Sequence, residues 1–215
     1  MQPIPKSGLY IPNSFARWTL IALEEVVGRN GLNAILNLAN LSELIENHTP
    51  KGYCPPDNLE RQFDFADYSA IQGALEELYG PSGGRSLALR AGRVTFNAAL
   101  RNLGELAGYR DAAVTQIPLL EKLRMGLPAL AAVFDEISDA RGTVEEQAEQ
   151  FIYTIDPCPV CWGRVTSKPV CAIAAGMLQE GLKWISGGGD FKVSQISAKS
   201  AGDAGCGFLV SKHAG

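Results

Sequence analysis

The sequence contains a cysteine pair at a spacing that binds metals. Cys158 and Cys161 form a C-x-x-C segment, with Pro159 inside it and Gly163 just after it. Two thiolates at this spacing on a tight turn can bind one tetrahedral ion, with zinc–sulfur distances of about 2.3 Å. Proline fixes φ and glycine permits a positive φ, so both residues suit such a turn. The segment therefore predicts a metal knuckle that takes further ligands from elsewhere in the chain.

Two later cysteines are available to complete the site. Cys171 and Cys206 lie in separate segments of the last third of the chain. Four thiolates would leave no open coordination position, which predicts a structural site, with zinc first and an iron–sulfur cluster as the alternative. The competing interpretations are a redox C-x-x-C and unpaired buried thiols. Cys54 stands beside two prolines and is predicted to be a lone loop thiol.

Composition and charge narrow the classes of protein. The 215 residues are 46% apolar and 20% charged, with a net charge of −4, which is typical of a globular domain. This balance, without a basic cluster, excludes a nucleic-acid-binding surface. The longest apolar runs are too short for a transmembrane segment. Without a secretory signal, the odd cysteine count favours metal-bound thiolates in a reducing cytoplasm.

The front part of the chain, residues 1–140, is predicted to be mainly helical. Apolar residues at helical spacing predict helices at 13–27, 68–80, 87–106 and 112–137. Gly80-Pro81 is expected to end the second of these helices, and Pro128 to kink or break the last. Residues 46–64 are rich in turn formers and are predicted to be a loop.

The back part, residues 141–215, combines strands with the knuckle and one helix. Residues 151–155 are β-branched and aromatic and predict a strand. Pro169 opens a helix that continues to Ile185 and is expected to hold Cys171 in its first turn. Residues 191–198 and 207–212 are predicted strands. Together these elements indicate a single α+β domain over residues 1–215, with an antiparallel sheet.

Several of these segments also resemble a known family. Lys168-Pro169-Val170-Cys171, Ala175-Gly176-Met177 and the region from Ala201 to Phe208 resemble the 4-vinyl-reductase-type small-molecule-binding domain, also called a hydrocarbon-binding domain. The resemblance implies helices packed on one side of a twisted antiparallel sheet, as in vesicle-transport-particle subunits. It also implies an apolar cavity and a homodimer.

In the aromatic-sensing members of that family, zinc is held by one Glu and three Cys residues. Cys171 and Cys206 match the first and last of these cysteines. The middle one falls at Ala198, so that ligand is missing, and the Glu falls near Glu149 or Gln150. The C-x-x-C pair could replace both ligands, which again gives a site of four thiolates.

A ligand pocket is expected between the helices and the sheet. The small side chains of Ala131, Ala132 and Ala174 would leave room for a cavity. The candidate lining residues are Phe96, Ala131, Phe134, Ala174, Met177 and Trp184. Ordinary core packing is the alternative interpretation of these positions.

The sequence thus predicts a protein that binds a small hydrophobic molecule, aromatic, lipid-like or tetrapyrrole-related, as a sensor or carrier. A sensory output would require a partner protein. One alternative is a reductase or accessory protein acting on the vinyl group of a chlorophyll precursor. The sequence lacks a recognisable hydride-donor site, which favours a non-enzymatic role. The other alternative is a structural adaptor subunit.

Overall fold

The computed structural model describes residues 3–46, 55–103 and 117–215. Cys54 and parts of the predicted helices 87–106 and 112–137 lie outside these ranges. The helices are α1 (Asn13–Leu38), α2 (Glu43–Glu46), α3 (Phe65–Asn102), α4 (Leu119–Ile137) and α5 (Ala172–Ser186). The strands are β1 (Tyr10–Pro12), β2 (Arg61–Asp64), β3 (Gly142–Glu146), β4 (Gln150–Ile155), β5 (Val193–Gln195) and β6 (Cys206–Ser211). Within these ranges, no helix is both long and apolar enough to cross a membrane.

The predicted α+β class is confirmed, with the helices packed against antiparallel sheets. A four-stranded sheet has the order β3-β4-β6-β5, and every neighbouring pair is antiparallel. The strand predicted at 191–198 is shorter in the structure, where β5 covers only Val193–Gln195 and a 3-10 turn follows at Lys199–Ala201. The segment before residue 151 supplies β3, the hairpin partner of β4.

Of two expected helix interruptions, one is confirmed and one is not. At Gly80-Pro81 the helical conformation stops as predicted, because Gly80 takes a non-helical conformation with a positive φ of 71°, and a second helical stretch then completes α3 to Asn102. The break expected at Pro128 is absent, and α4 runs without interruption. Leu123, Leu127 and Leu130 are buried on both sides of that proline, and we attribute the helix's continuity to this burial, which offsets the lost backbone hydrogen bond.

A small ribbon near the N-terminus corrects the loop predicted at 46–64. Strands β1 and β2 pair in antiparallel fashion there. Asp64 ends β2 and caps α3, and its buried carboxylate accepts hydrogen bonds from the Ser7 hydroxyl (2.7 Å), the Ala66 N–H (2.7 Å) and the N–H groups of Ser7 and Gly8 (3.0 and 3.1 Å). This carboxylate therefore joins the N-terminal segment, the ribbon and α3.

Helices α3 and α5 cross at two glycines. A Cβ atom on Gly92 would lie 2.1 Å from the Ile173 carbonyl oxygen, and one on Gly176 would lie 2.2 Å from that of Leu89. No side chain fits at either position, because the obstacle is backbone. The crossing fixes the depth at which α5 packs, and α5 contributes residues to both features described next.

Candidate metal centre and cavity

The four predicted cysteines come together in one buried cluster. Their sulfur atoms all lie within 4.8 Å of one another. The Sγ–Sγ distances are 3.3 Å for Cys161–Cys206, 3.7 Å for Cys171–Cys206 and 3.9 Å for Cys158–Cys171. Four sulfurs around one zinc ion at about 2.3 Å would be about 3.8 Å apart. The spacing matches that expected of four sulfurs around a single tetrahedral ion.

Three chain segments position these thiols. Cys158 and Cys161 lie in the loop after β4, and Cys206 opens β6 directly opposite Ile155, the last residue of β4. Cys171 was expected in the first turn of α5, but the helix begins at Ala172 and Cys171 is its N-cap. The difference is one residue, and the thiol still lies at the helix N-terminus, where the partial positive charge favours a thiolate.

Backbone groups support the cluster from outside. The Lys199 N–H donates to Cys206 Sγ (3.5 Å), the Cys171 N–H donates to Gln195 Oε1 (2.7 Å), and the Arg164 N–H donates to the Cys161 carbonyl (3.2 Å). Contacts of this kind orient metal ligands.

Hydrogen bonds from the neighbouring thiols of Cys158, Cys171 and Cys206 lower the pKa of Cys161. Burial disfavours several adjacent thiolates unless a cation is bound among them. A bound cation would supply the positive charge that compensates the thiolates.

The ligand positions implied by the family resemblance fall in two different places. Ala198 is fully buried, one residue before the Lys199 N–H that contacts Cys206. Gln150 pairs with Ser211, at the opposite end of β4 from the cluster, and five residues of strand span about 17 Å. Glu149 precedes Gln150, so neither of these residues reaches the sulfurs.

An apolar cavity lies next to the cluster. About 80 Å³ of it is accessible to the centre of a water-sized sphere. Helices, the sheet and the knuckle all contribute to its wall. The lining residues are Phe15, Tyr68, Phe96, Ala99, Leu103, Leu130, Val133, Phe134, Ile137, Ala140, Arg141, Gly142, Tyr153, Ile155, Pro159, Val160, Ala174, Met177 and Leu178.

Four of the six predicted pocket residues line this cavity: Phe96, Phe134, Ala174 and Met177. Trp184 lies outside the lining. Ala131 instead packs beside Gly142, where an added Cβ would come within 2.8 Å of the Ala131 Cβ. Ala132, expected to face the cavity, is exposed, because it follows Ala131 on α4 and points away from the buried face.

Sequence reasoning missed two tyrosines in the wall, Tyr68 and Tyr153, and the aromatic ring of Phe15. Tyr153 lies two residues after the buried Phe151 on β4 and therefore on the same face, so its inward direction could have been inferred from the strand period. Phe15 packs edge-on against Phe134 with ring centroids 4.9 Å apart. That contact joins residues far apart in the chain and leaves no local sequence signal.

The cavity and the cluster share chain segments. Pro159 and Val160, which stand between the first two thiols, form part of the cavity wall. Cys171 caps α5, and Ala174, Met177 and Leu178 on that helix face the cavity. The shape of this wall therefore depends on where the thiols are held.

Comparison with known proteins shows the fold. No family model matches the chain, and no curated protein matches its sequence. An H-NOX protein of T. tengcongensis is similar in structure, with 11% identity, a TM-score of 0.54, and coverage of 94% of this chain and 97% of that one. An S. oneidensis H-NOX protein has 15% identity, a TM-score of 0.54, and coverage of 91% and 95%. The phenol-responsive sensory domain of the activator PoxR has 19% identity, a TM-score of 0.44, and coverage of 82% and 89%. The likeness to H-NOX proteins, which the sequence did not predict, shows that the chain shares their fold.

The H-NOX structures are described with haem and Fe(II), so we tested whether the cavity fits that group. Met177 and the two tyrosines in the wall carry atoms that can bind haem iron. The cavity of about 80 Å³ is far below the roughly 300–1,000 Å³ of sites for drug-sized ligands. A macrocycle cannot enter without displacing several core side chains. The cavity of this chain does not fit haem.

Proposed function

We propose that this protein binds one small hydrophobic molecule in the cavity beside the cysteine cluster, and that it acts as a sensor or carrier of that molecule. The supporting observation is the cavity itself, which is lined almost wholly by apolar side chains. Such sites bind ligands by apolar burial, and the few polar groups set their orientation.

The size of the cavity favours the smallest of the ligands considered. Its volume of about 80 Å³ is about half of the roughly 150 Å³ that accommodates benzene in an engineered protein cavity. Met177 is a flexible wall residue whose rotation can widen the space for one ring. We therefore propose a single-ring aromatic or short aliphatic compound in preference to a lipid or a tetrapyrrole.

We also propose that Cys158, Cys161, Cys171 and Cys206 hold one structural zinc ion. The sulfur spacing supports one ion over an iron–sulfur cluster. The chemical role of such an ion is to hold the knuckle, α5 and β6 together. Elemental analysis of anaerobically purified, tag-free protein is expected to give one zinc per chain. Protein free of both zinc and iron would contradict this assignment, and charge-transfer absorbance would favour the iron–sulfur alternative.

A filled-cavity variant tests the binding function. Ala174→Trp places a large side chain in the wall, so it is expected to abolish saturable binding while the metal content stays unchanged. The matched control is Ala132→Trp, which adds the same side chain on the exposed face of α4 and should bind like the wild type. Isothermal titration calorimetry of the metal-loaded protein with toluene, styrene and hexane measures the loss of binding. Folded, metal-loaded wild-type protein that binds none of these probes would favour the adaptor role.

The homodimer and the cytoplasmic location expected from the sequence stay predictions. Light scattering on the purified protein is expected to give twice the chain mass of 23.0 kDa.

A further inference from the structure

Two tyrosine hydroxyls border the cavity, and they differ in their hydrogen bonding. Tyr68 and Tyr153 are both buried wall residues, with exposures of 1% and 4%. The Tyr68 hydroxyl lies 3.2 Å from Thr19 Oγ1 and shares a hydrogen bond with it. Within the described chain, the Tyr153 hydroxyl makes no hydrogen bond; burial and the charge of Asp135 are what act on it. The hydroxyl oxygen of Tyr153 keeps accessible surface at the cavity wall, so it can hydrogen-bond a molecule inside the cavity.

The space beside the Tyr153 hydroxyl is kept open by a glycine. A Cβ atom on Gly142 would lie 3.1 Å from that oxygen, so the missing side chain leaves room at this end of the cavity. Arg141 also lines this end, but one nitrogen of its guanidinium, Nη1, already donates to the carbonyls of Asp135, Ser138 and Ala140. The Asp135 carboxylate accepts from the Gly142 N–H at 2.7 Å.

We propose that Tyr153 is the specificity-determining residue of the cavity, and that its hydroxyl donates a hydrogen bond to an acceptor oxygen on an otherwise apolar ligand. This inference rests on the proposed binding function and adds the polar group that the ligand carries. The class that fits is a small neutral aldehyde, ketone or ether.

Charge at this end of the cavity explains why the acceptor is neutral. Burial, and secondarily the negative charge of Asp135, raise the pKa of Tyr153, so the phenol stays protonated and can donate. The Asp135 carboxylate and the Arg141 guanidinium at this end offset one another in charge, so a charged ligand gains no net attraction to compensate for its desolvation. A carbonyl or ether oxygen accepts the hydrogen bond without bringing a charge.

A pair of probes of equal shape tests the inference. Styrene and benzaldehyde differ only in that a terminal CH2 is replaced by an oxygen, so their affinity ratio isolates the acceptor. Tyr153→Phe removes the donor and keeps the ring. The expected result is a shift of that ratio by about tenfold toward styrene, the effect of one buried hydrogen bond. Tyr68→Phe is the matched control, because its hydroxyl is already paired, and it should leave the ratio unchanged.

The outcomes separate this inference from the function on which it rests. Calorimetry is performed on metal-loaded protein whose thermal unfolding matches that of the wild type. Wild-type protein that binds styrene, with the same ratio in Tyr153→Phe, overturns the role of Tyr153 and leaves the binding function intact. Wild-type protein that binds neither probe overturns both. Should Tyr153→Phe fail to fold, infrared spectroscopy of benzaldehyde bound to the wild-type protein is the second measurement, because a donated hydrogen bond lowers the carbonyl stretching frequency below its value in a hydrocarbon solvent. An unshifted carbonyl band would also contradict the inference.

Discussion

Two buried polar clusters each join three segments of this chain, and they are completed in different ways. The Asp64 carboxylate accepts all its hydrogen bonds from the protein itself, from Ser7, Gly8 and Ala66. The four thiols mainly contact one another. A carboxylate surrounded by N–H and O–H donors needs no further ligand, whereas sulfurs that face each other need a cation before they can all ionise. A buried polar cluster with enough hydrogen-bond donors of its own needs no ion. A buried cluster without such donors needs a bound cation.

Among the tests of this comparison, the removal of one thiol is expected to have the largest effect on stability. Cys171→Ser is expected to lower the free energy of unfolding by at least about 3 kcal/mol, since structural zinc contributes on the order of 10 kcal/mol. Thermal unfolding with and without a strong chelator measures it, and the variant should respond less to chelator than the wild type. The fifth cysteine supplies the control, because Cys54→Ser also loses one thiol. Equal shifts for the two variants would mean that Cys171 is only a packed side chain.

A substitution at the glycine crossing tests whether the cysteine cluster alone positions α5. Gly176→Ala forces a methyl group against the Leu89 carbonyl, so we expect a loss of about 2–3 kcal/mol from overpacking. Chemical denaturation measures this loss. The control, Gly83→Ala, adds a methyl group on the exposed part of α3, 3.6 Å from its nearest neighbour, and is expected to stabilise the protein by about 0.5–1 kcal/mol. If Gly176→Ala changed the free energy of unfolding no differently from the control, metal binding would dominate the placement of α5.

The Asp64 cluster should contribute less to the free energy of unfolding than the cysteine cluster, and its contribution should not depend on metal. Asp64→Asn keeps the shape but replaces one acceptor oxygen by a donor, which leaves N–H groups of the N-terminal segment unsatisfied. The expected cost is about 1–2 kcal/mol, the same with and without chelator. Asp67→Asn is the control, because Asp67 pairs with the exposed Lys6, and such pairs contribute less than about 1 kcal/mol. If chelator changed the destabilisation caused by Asp64→Asn, both clusters would depend on metal and the proposed difference between them would be wrong.

The smallest expected effect is a pH dependence of that same carboxylate. Burial acts to raise the pKa of Asp64, but the hydrogen bonds from Ala66, Ser7 and Gly8 outweigh it and hold the pKa below the ordinary 3.8. Because the unfolded state binds the proton more readily, this stabilisation is complete above about pH 4 and decreases as the pH falls toward the folded-state pKa. The stability difference between wild type and Asp64→Asn, measured by denaturation from pH 6 to pH 3, should shrink in that window. A constant difference would contradict the assignment.

The cysteine cluster was predictable from sequence, whereas most of the cavity was not. A C-x-x-C pair and two further cysteines restrict the possibilities, because few other roles suit four buried thiols in one part of a chain. The ribbon of β1 and β2 was missed because strands of three and four residues in a segment rich in turn formers leave almost no periodic signal.

Pro128 misled the prediction for a related reason. A proline predicts a break from local rules, and the buried leucines of α4 overrule it only in the folded protein. Met177 and Ala174 could be inferred as wall residues because α5 has a clear apolar face. Tyr153 could not be singled out as polar and unpaired, since the positions of its neighbours depend on Gly142 and Asp135 from another strand and another helix.

The shared wall of the cluster and the cavity has a thermodynamic consequence. Pro159 and Val160 belong to both, so the affinity of a cavity ligand can depend on whether the ion is bound. Binding free energies are reciprocal: if the ion raises ligand affinity by some factor, the ligand raises the affinity for the ion by the same factor. A protein of this design would then retain its metal better in the presence of its hydrophobic ligand. The rate or extent of metal loss to a chelator, measured with and without that ligand, would therefore report whether the cavity is occupied.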